Sequence, residues 1–194
     1  MPIDLTWCDG WLQSARHVVS PNFGARPLDE PITLAVVHSI SLPPGVYGGQ
    51  EVEQLFTNQL DWSAHPYFEQ IRGAEVSAHF FIRRTGELVQ FVSVRDRAWH
   101  AGRSCWQGRD NCNDYSVGIE LEGLEDHPFE TTQYASLGQL ILALAQQWPI
   151  DTVVGHEHIA PGRKKDPGSA FDWPLLKRLL NDRQDLIPAL PSRA

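Results

Sequence analysis

Apolar residues fall into several short runs and one long periodic stretch, and these set most of the elements. The run Ile32-Thr33-Leu34-Ala35-Val36-Val37 is apolar and largely β-branched, bounded by Pro31 and the polar pair His38-Ser39. It predicts a buried strand with His38 at its C-terminal edge. Residues 78–83 and 87–92 are strand-like on either side of Arg84-Thr85-Gly86, the pattern of a hairpin. From Val117 to Gly123 the chain alternates, so Ile119 and Leu121 share one face and Glu120 and Glu122 the other. Val153-Val154 is a short strand leading into Gly155-His156.

Helical spacing is clearest in Tyr134, Leu137, Leu140, Ile141, Leu144, Ala145 and Trp148, a run ended by Pro149. Val52, Leu55 and Phe56 predict a shorter amphipathic helix over residues 51–60. Asp172 caps a last helix through Leu175, Leu176, Leu179 and Leu180, with Pro174 in the tolerated first turn. Pro21, Pro27, Pro31, Pro43 and Pro44 make the first quarter loop-rich, and residues 181–194 read as a surface tail. Strands and helices alternate without a regular βαβ rhythm. The expected fold class is therefore α/β in the α+β sense: a single domain over 1–194, core about 11–180, with a mixed central sheet flanked by helices.

Composition narrows the function. A chain of 194 residues buries roughly 70% of its unfolded surface and needs no metal merely to fold, so a metal must be argued from chemistry. The 16 Lys and Arg against 24 Asp and Glu give a net charge of −8, which repels nucleic acid and anionic membranes. The one basic cluster, Arg163-Lys164-Lys165, is followed at once by Asp166. No apolar run approaches the ~18 residues of a membrane span. Residues 1–10 lack the basic and apolar regions of a secretory leader. The three cysteines match no zinc spacing and suit reduced thiols, so a cytoplasmic monomer acting on a small molecule is expected.

Among eight histidines, His38 and His156 each follow an apolar strand, and Asp166 lies in a Pro-Gly-rich loop shortly after His156. Two imidazoles and a carboxylate leave one tetrahedral position of a zinc ion open for water. Spacing alone does not select this set. A histidine at a strand end is commonly a hydrogen-bonded structural residue, and His158 competes as a ligand. Glu120 is either a solvent-facing charge or, in a polar pocket, a general base of raised pKa. Lys164 is either a solvated loop lysine or an ammonium aimed at a developing oxyanion.

The strings around these residues resemble the cytoplasmic 1,6-anhydro-N-acetylmuramyl-L-alanine amidases, the AmpD type within the zinc amidase and peptidoglycan-recognition superfamily. They include Val36-Val37-His38, Ile40-Ser41-Leu42-Pro43-Pro44-Gly45, His65-Pro66-Tyr67-Phe68 and Val76-Ser77-Ala78-His79. Further along come Arg97-Ala98-Trp99-His100-Ala101-Gly102, Cys112-Asn113-Asp114, Gly118-Ile119-Glu120-Leu121-Glu122-Gly123, Gly155-His156, Ile159-Ala160-Pro161 and Asp166-Pro167-Gly168. The resemblance covers about residues 11–175 and implies an amidase fold like that of the peptidoglycan-recognition proteins. It implies that His38, His156 and Asp166 hold Zn²⁺, with Glu120 as catalytic glutamate and Lys164 as transition-state lysine. Ser39, Trp99, His100 and Ala160 are the substrate-binding candidates. His79 is expected to be a satisfied core residue or a support behind the ligands, and a purely packing role for Trp99 is an equal alternative. The chain departs from the family at Ser39, where Asn is common, at Glu157-His158 and at Gly162. The implied activity cleaves the bond between the lactyl group of (1,6-anhydro-)N-acetylmuramic acid and L-alanine in cytoplasmic muropeptides. The alternatives are an amidase of intact peptidoglycan and a non-catalytic muropeptide receptor.

Overall fold

The computed structural model of the chain describes residues 6–190. A six-stranded sheet runs through it, built from β1 (Arg16–His17), β2 (Leu34–Ile40), β3 (Phe80–Ile82), β4 (Leu88–Gln90), β5 (Ser116–Glu122) and β6 (Thr152–Gly155). The spatial order is β6-β2-β5-β3-β4-β1. Only the β3–β4 hairpin is antiparallel, with Phe80 opposite Gln90 and Ile82 opposite Leu88; the other neighbours run parallel. Two-stranded ladders at Trp7–Cys8 with Trp11–Leu12, Phe23–Gly24 with Arg97–Ala98, and Cys105–Trp106 with Arg109–Asp110 surround it. This is the mixed sheet expected from the sequence.

Strand alternation sorts the two faces. Ala35 and Val37 of β2 and Val117, Ile119 and Leu121 of β5 pack on Leu137, Leu140, Ile141 and Leu144 of α3 (Thr131–Gln147) and on Leu176 of α5 (Trp173–Leu179). On the opposite face Phe81, Val89 and Phe91 meet Val52, Leu55 and Phe56 of α1 (Glu51–Phe56) and Phe68 of α2 (Pro66–Gln70). Leu34, Val36 and Val154 meet Ile159 of α4 (His156–Ile159) and Cys112. Each such side chain, fully buried, contributes about 1.5–3 kcal/mol. Helices therefore cover both faces, and β5 is buried along all seven residues.

The boundaries differ in instructive ways. β2 continues to Ile40 because β5 pairs with it over its whole length, so His38 lies within the strand and not at its edge. α3 starts at Thr131, before its apolar stripe, because Glu130 and Gln133 form a capping box. α1 ends at Phe56, short of residue 60. Asp172 caps α5 by accepting from the Leu175 N–H at 2.8 Å. The expected surface tail is corrected in part. Asn181–Leu186 is a 3₁₀ helix, and Leu186 and Ile187 are buried in the α3–α5 core. Residues 191–194 of that tail, like residues 1–5 of the leader reading, lie outside the described residues. No helix among the described residues is long and apolar enough to cross a membrane.

His79 is wholly buried before β3, as the sequence implied. Its Nδ1 accepts from the Gly118 N–H at 3.0 Å, so in the neutral ring Nε2, which lies 3.0 Å from both the Asp96 carbonyl and Arg26 Nη2, carries the proton and donates to that carbonyl. Burial, then the nearby Arg26, lowers its pKa from 6.5 to about 3. Below pH 6.5 the unfolded chain takes up a proton that the folded chain refuses, so stability is full above that pH and falls as the pH drops towards 3. Urea unfolding of metal-free protein is expected to show a loss of about 2 kcal/mol between pH 6.5 and 5 from this residue. The difference in this pH dependence between the parent and His79→Gln isolates the residue's share from those of the other buried groups, and no difference would show His79 to be solvated or charged in the fold.

Candidate active site

The parallel register of β2 and β5 sets His38 beside Glu120, on the face away from α3. β6, on the other side of β2, delivers His156 as the first residue of α4. The following loop folds back, and the Asp166 carbonyl accepts from the Glu157 N–H at 2.9 Å. Three distant segments thus converge. His38 Nδ1 lies 2.9 Å from His156 Nδ1 and 3.1 Å from Asp166 Oδ2, and His156 Nδ1 lies 3.0 Å from the same oxygen. Among the described residues this is the one cluster of three or more His, Cys, Asp or Glu side chains with ligand atoms within 4.8 Å of one another.

The donor chemistry of this cluster can be tested against a metal. His156 Nε2 faces the Ala101 carbonyl at 3.1 Å, and a carbonyl only accepts, so Nε2 carries the proton and Nδ1 a lone pair. Burial, then the neighbouring His156, lowers the His38 pKa to about 4, leaving that ring neutral at pH 7. Burial alone would raise the Asp166 pKa, but His156 and His38 outweigh it and hold the carboxyl below its ordinary range. Neutral imidazole nitrogens and a carboxylate oxygen are thereby packed against one another. Such a buried arrangement is stable around a shared cation, and the set fits a divalent metal ion.

The cluster borders a cavity of about 630 Å³. Glu120, Lys164 and Trp99 line it too, and Leu55, Phe56, Tyr67, Ile71 and Val76 give it an apolar wall where α1 and α2 approach. Glu120 is 8% exposed and its Oε2 has no hydrogen-bond partner. Burial, then the Asp166 charge, raises its pKa well above the ordinary carboxyl value, with Lys164 opposing. The solvent-face reading of Glu120 is thereby overturned, because β5 is covered on both sides.

The family model described as N-acetylmuramoyl-L-alanine amidase matches residues 28–169. The chain belongs to this amidase family. The 1,6-anhydro-N-acetylmuramyl-L-alanine amidase AmpD of Enterobacter cloacae is 49% identical over 179 residues, 91% of this chain and 96% of the relative. The crystal structure of a selenomethionine AmpD derivative superposes with a TM-score of 0.88 at 49% identity, covering 90% of this chain and 99% of that one. The N-acetylmuramyl-L-alanine amidase AmiD from E. coli, in complex with the substrate anhydro-N-acetylmuramic acid-L-Ala-D-gamma-Glu-L-Lys, matches at TM-score 0.57 and 27% identity, covering 79% of this chain and 59% of that one.

In this amidase the other candidates fall into place unevenly. Lys164 lines the cavity from an exposed turn whose Ala160 carbonyl accepts its backbone N–H at 3.0 Å. Ala160 itself is buried and does not border the cavity, and its carbonyl holds that turn. Ser39 borders the cavity, yet its register partner is Leu121, so alternation turns its side chain from the His38 face, and its Oγ has no partner. Trp99 lines the cavity directly. His100 borders it as well, but its ring nitrogens face His38 Nε2 at 2.9 Å and Ser116 Oγ at 3.1 Å. His158 is no ligand here: its Nδ1 accepts from the Gly155 N–H at 2.8 Å and its ring packs on Trp173.

Some supports escaped the sequence reading. Arg26, in the Pro-rich entry, donates to the carbonyls of Val94, Asn113, Asp114 and Ser116. Asn113 Oδ1 accepts the backbone N–H groups of His100 and Ala101. Neither residue type in a loop carries a pattern that announces such partners.

Proposed function

We propose that the chain is a zinc-dependent amidase that cleaves the bond between the lactyl group of (1,6-anhydro-)N-acetylmuramic acid and L-alanine in cytoplasmic muropeptides released during cell-wall recycling. The observation that carries this reading is the convergence of His38, His156 and Asp166 beside a buried, unpaired Glu120 in one cavity. The activity of the AmpD relative and the muropeptide complex of AmiD support the substrate class. The free thiols of Cys8 and Cys105, both exposed, suit a reducing compartment.

His38, His156 and Asp166 would hold the metal. Zinc held by such a set supplies a Lewis acid that acidifies water near neutral pH and polarises a carbonyl. Glu120 accepts the proton of the attacking water and returns it to the departing L-alanine nitrogen, a task its raised pKa suits. Lys164 places its ammonium toward the charge that develops on the lactyl oxygen. The apolar wall and Trp99 give the sugar and peptide a surface on which to be oriented.

Mass spectrometry of products from a defined anhydromuramyl-tripeptide tests the proposal. The expected products are free anhydro-N-acetylmuramic acid and an intact peptide beginning with L-alanine, abolished by a chelator and restored by zinc. Intact sacculi are expected to be cut far more slowly. Binding without cleavage, together with no uptake of zinc, would instead make the chain a muropeptide receptor.

A further inference from the structure

His100 stands between a metal-cluster residue and the protein interior. Its Nε2 faces Ser116 Oγ, and that hydroxyl spends its own proton on the Cys112 carbonyl at 2.5 Å. Ser116 must then accept from His100, so the His100 proton sits on Nε2 and its Nδ1 is an acceptor. His38 Nε2, 2.9 Å from that Nδ1, is left as the donor, which frees His38 Nδ1 to face His156 and Asp166. The hydrogen bonds therefore run one way, from His38 to His100 to Ser116 to a backbone carbonyl.

The fold is arranged around this ring. A Cβ on Gly118 would lie 2.3 Å from His100 Cγ, so β5 carries a glycine where the imidazole rests on it. The Asn113 Oδ1 fixes the ring's backbone by accepting from the N–H groups of His100 and Ala101 at 3.1 and 2.8 Å. The Ala101 carbonyl accepts in turn from His156 Nε2 and from Arg163, at 3.1 and 2.7 Å. One short segment thus orients both imidazoles of the cluster and ties down the loop that carries Lys164 and Asp166.

We propose that His100 is a positioning residue, which holds His38 in the tautomer that offers Nδ1 to the metal, and not a substrate contact. The inference rests on the metal site proposed above. Partners that fix the tautomer of a ligating histidine typically change metal affinity by roughly 10–100-fold when removed. Asparagine can set an amide oxygen where His100 Nδ1 lies, whereas leucine offers no acceptor.

Zinc affinity of the parent, His100→Leu and His100→Asn proteins, read by chelator competition, is the first measurement. Leucine is expected to weaken zinc roughly 10–100-fold and asparagine to restore most of the loss. Equal affinity in parent and leucine variant, or equal loss in both variants, overturns the proposal. The second measurement is nitrogen-15 NMR of the parent alone, which stands even if the leucine variant fails to fold. The expected spectrum shows a proton on His38 Nε2 coupled across the hydrogen bond to His100 Nδ1, while a proton on His100 Nδ1 overturns it. A parent that takes up no zinc defeats the metal reading itself, and the NMR result still tells whether the bond polarity is right.

Discussion

Asp166→Ala is expected to purify without its metal and to lose turnover by at least roughly 10³-fold. The size follows from what leaves with the carboxylate. Asp166 is the one anionic member of the cluster, and without it two buried imidazole nitrogens 2.9 Å apart face each other with nothing to balance a dication. Several kcal/mol of Lewis-acid stabilisation go with the metal, and each 1.36 kcal/mol is tenfold in rate. The fold should survive, because the Asp166 contact that shapes the loop is made by its backbone carbonyl, which alanine keeps. Elemental analysis, hydrolysis rates and thermal unfolding of the metal-free proteins check the three parts. A variant that keeps a full equivalent of zinc and near-parental turnover removes Asp166 from the ligand set.

That Asp166 could be singled out from sequence at all depended on family text. Alternation and helical spacing placed β5 and α3, and apolar runs placed β2 and β6, because the apolar residues of each are buried in the core. Local pattern also gave the β3–β4 hairpin and the Asp172 cap, whose signals are short in range. It could not show that His38 meets His156 and Asp166, which follow it by 118 and 128 residues. Spacing left His158 as a rival ligand, and only the Gly155 contact disposes of it.

The same limit applies to the substrate candidates. Ser39 and His38 are neighbours in the chain and opposites on the sheet, yet both border the cavity, which alternation alone does not show. Ala160 sits in the loop between two cluster residues and still turns inward. Burial of Leu186 and Ile187 had no sequence signal either, since a short polar 3₁₀ segment gives no apolar stripe to read.

β5 also shows how two like residues on one face come to different ends. Glu120 and Glu122 are both buried and both on the site side of the strand. The Glu122 carboxylate accepts the backbone N–H groups of Gly48 and Arg84, at 2.5 and 3.0 Å, and meets Arg83. Its partners make it a structural anchor. Glu120 Oε2 has none, and its pKa is raised by burial and by Asp166. A carboxyl left unpaired in a cavity beside a metal-fit cluster is available to move protons. Glu120→Gln keeps the volume and removes that capacity, and is expected to lower kcat by roughly 10²–10⁴-fold with KM little changed. Zinc content should stay at one equivalent, and metal-free stability should hold or rise, because a buried carboxyl near the Asp166 charge is gone. Glu122→Gln should do the reverse, costing stability through its backbone partners while sparing the chemistry. Turnover of Glu120→Gln within about tenfold of the parent would assign the proton transfer elsewhere.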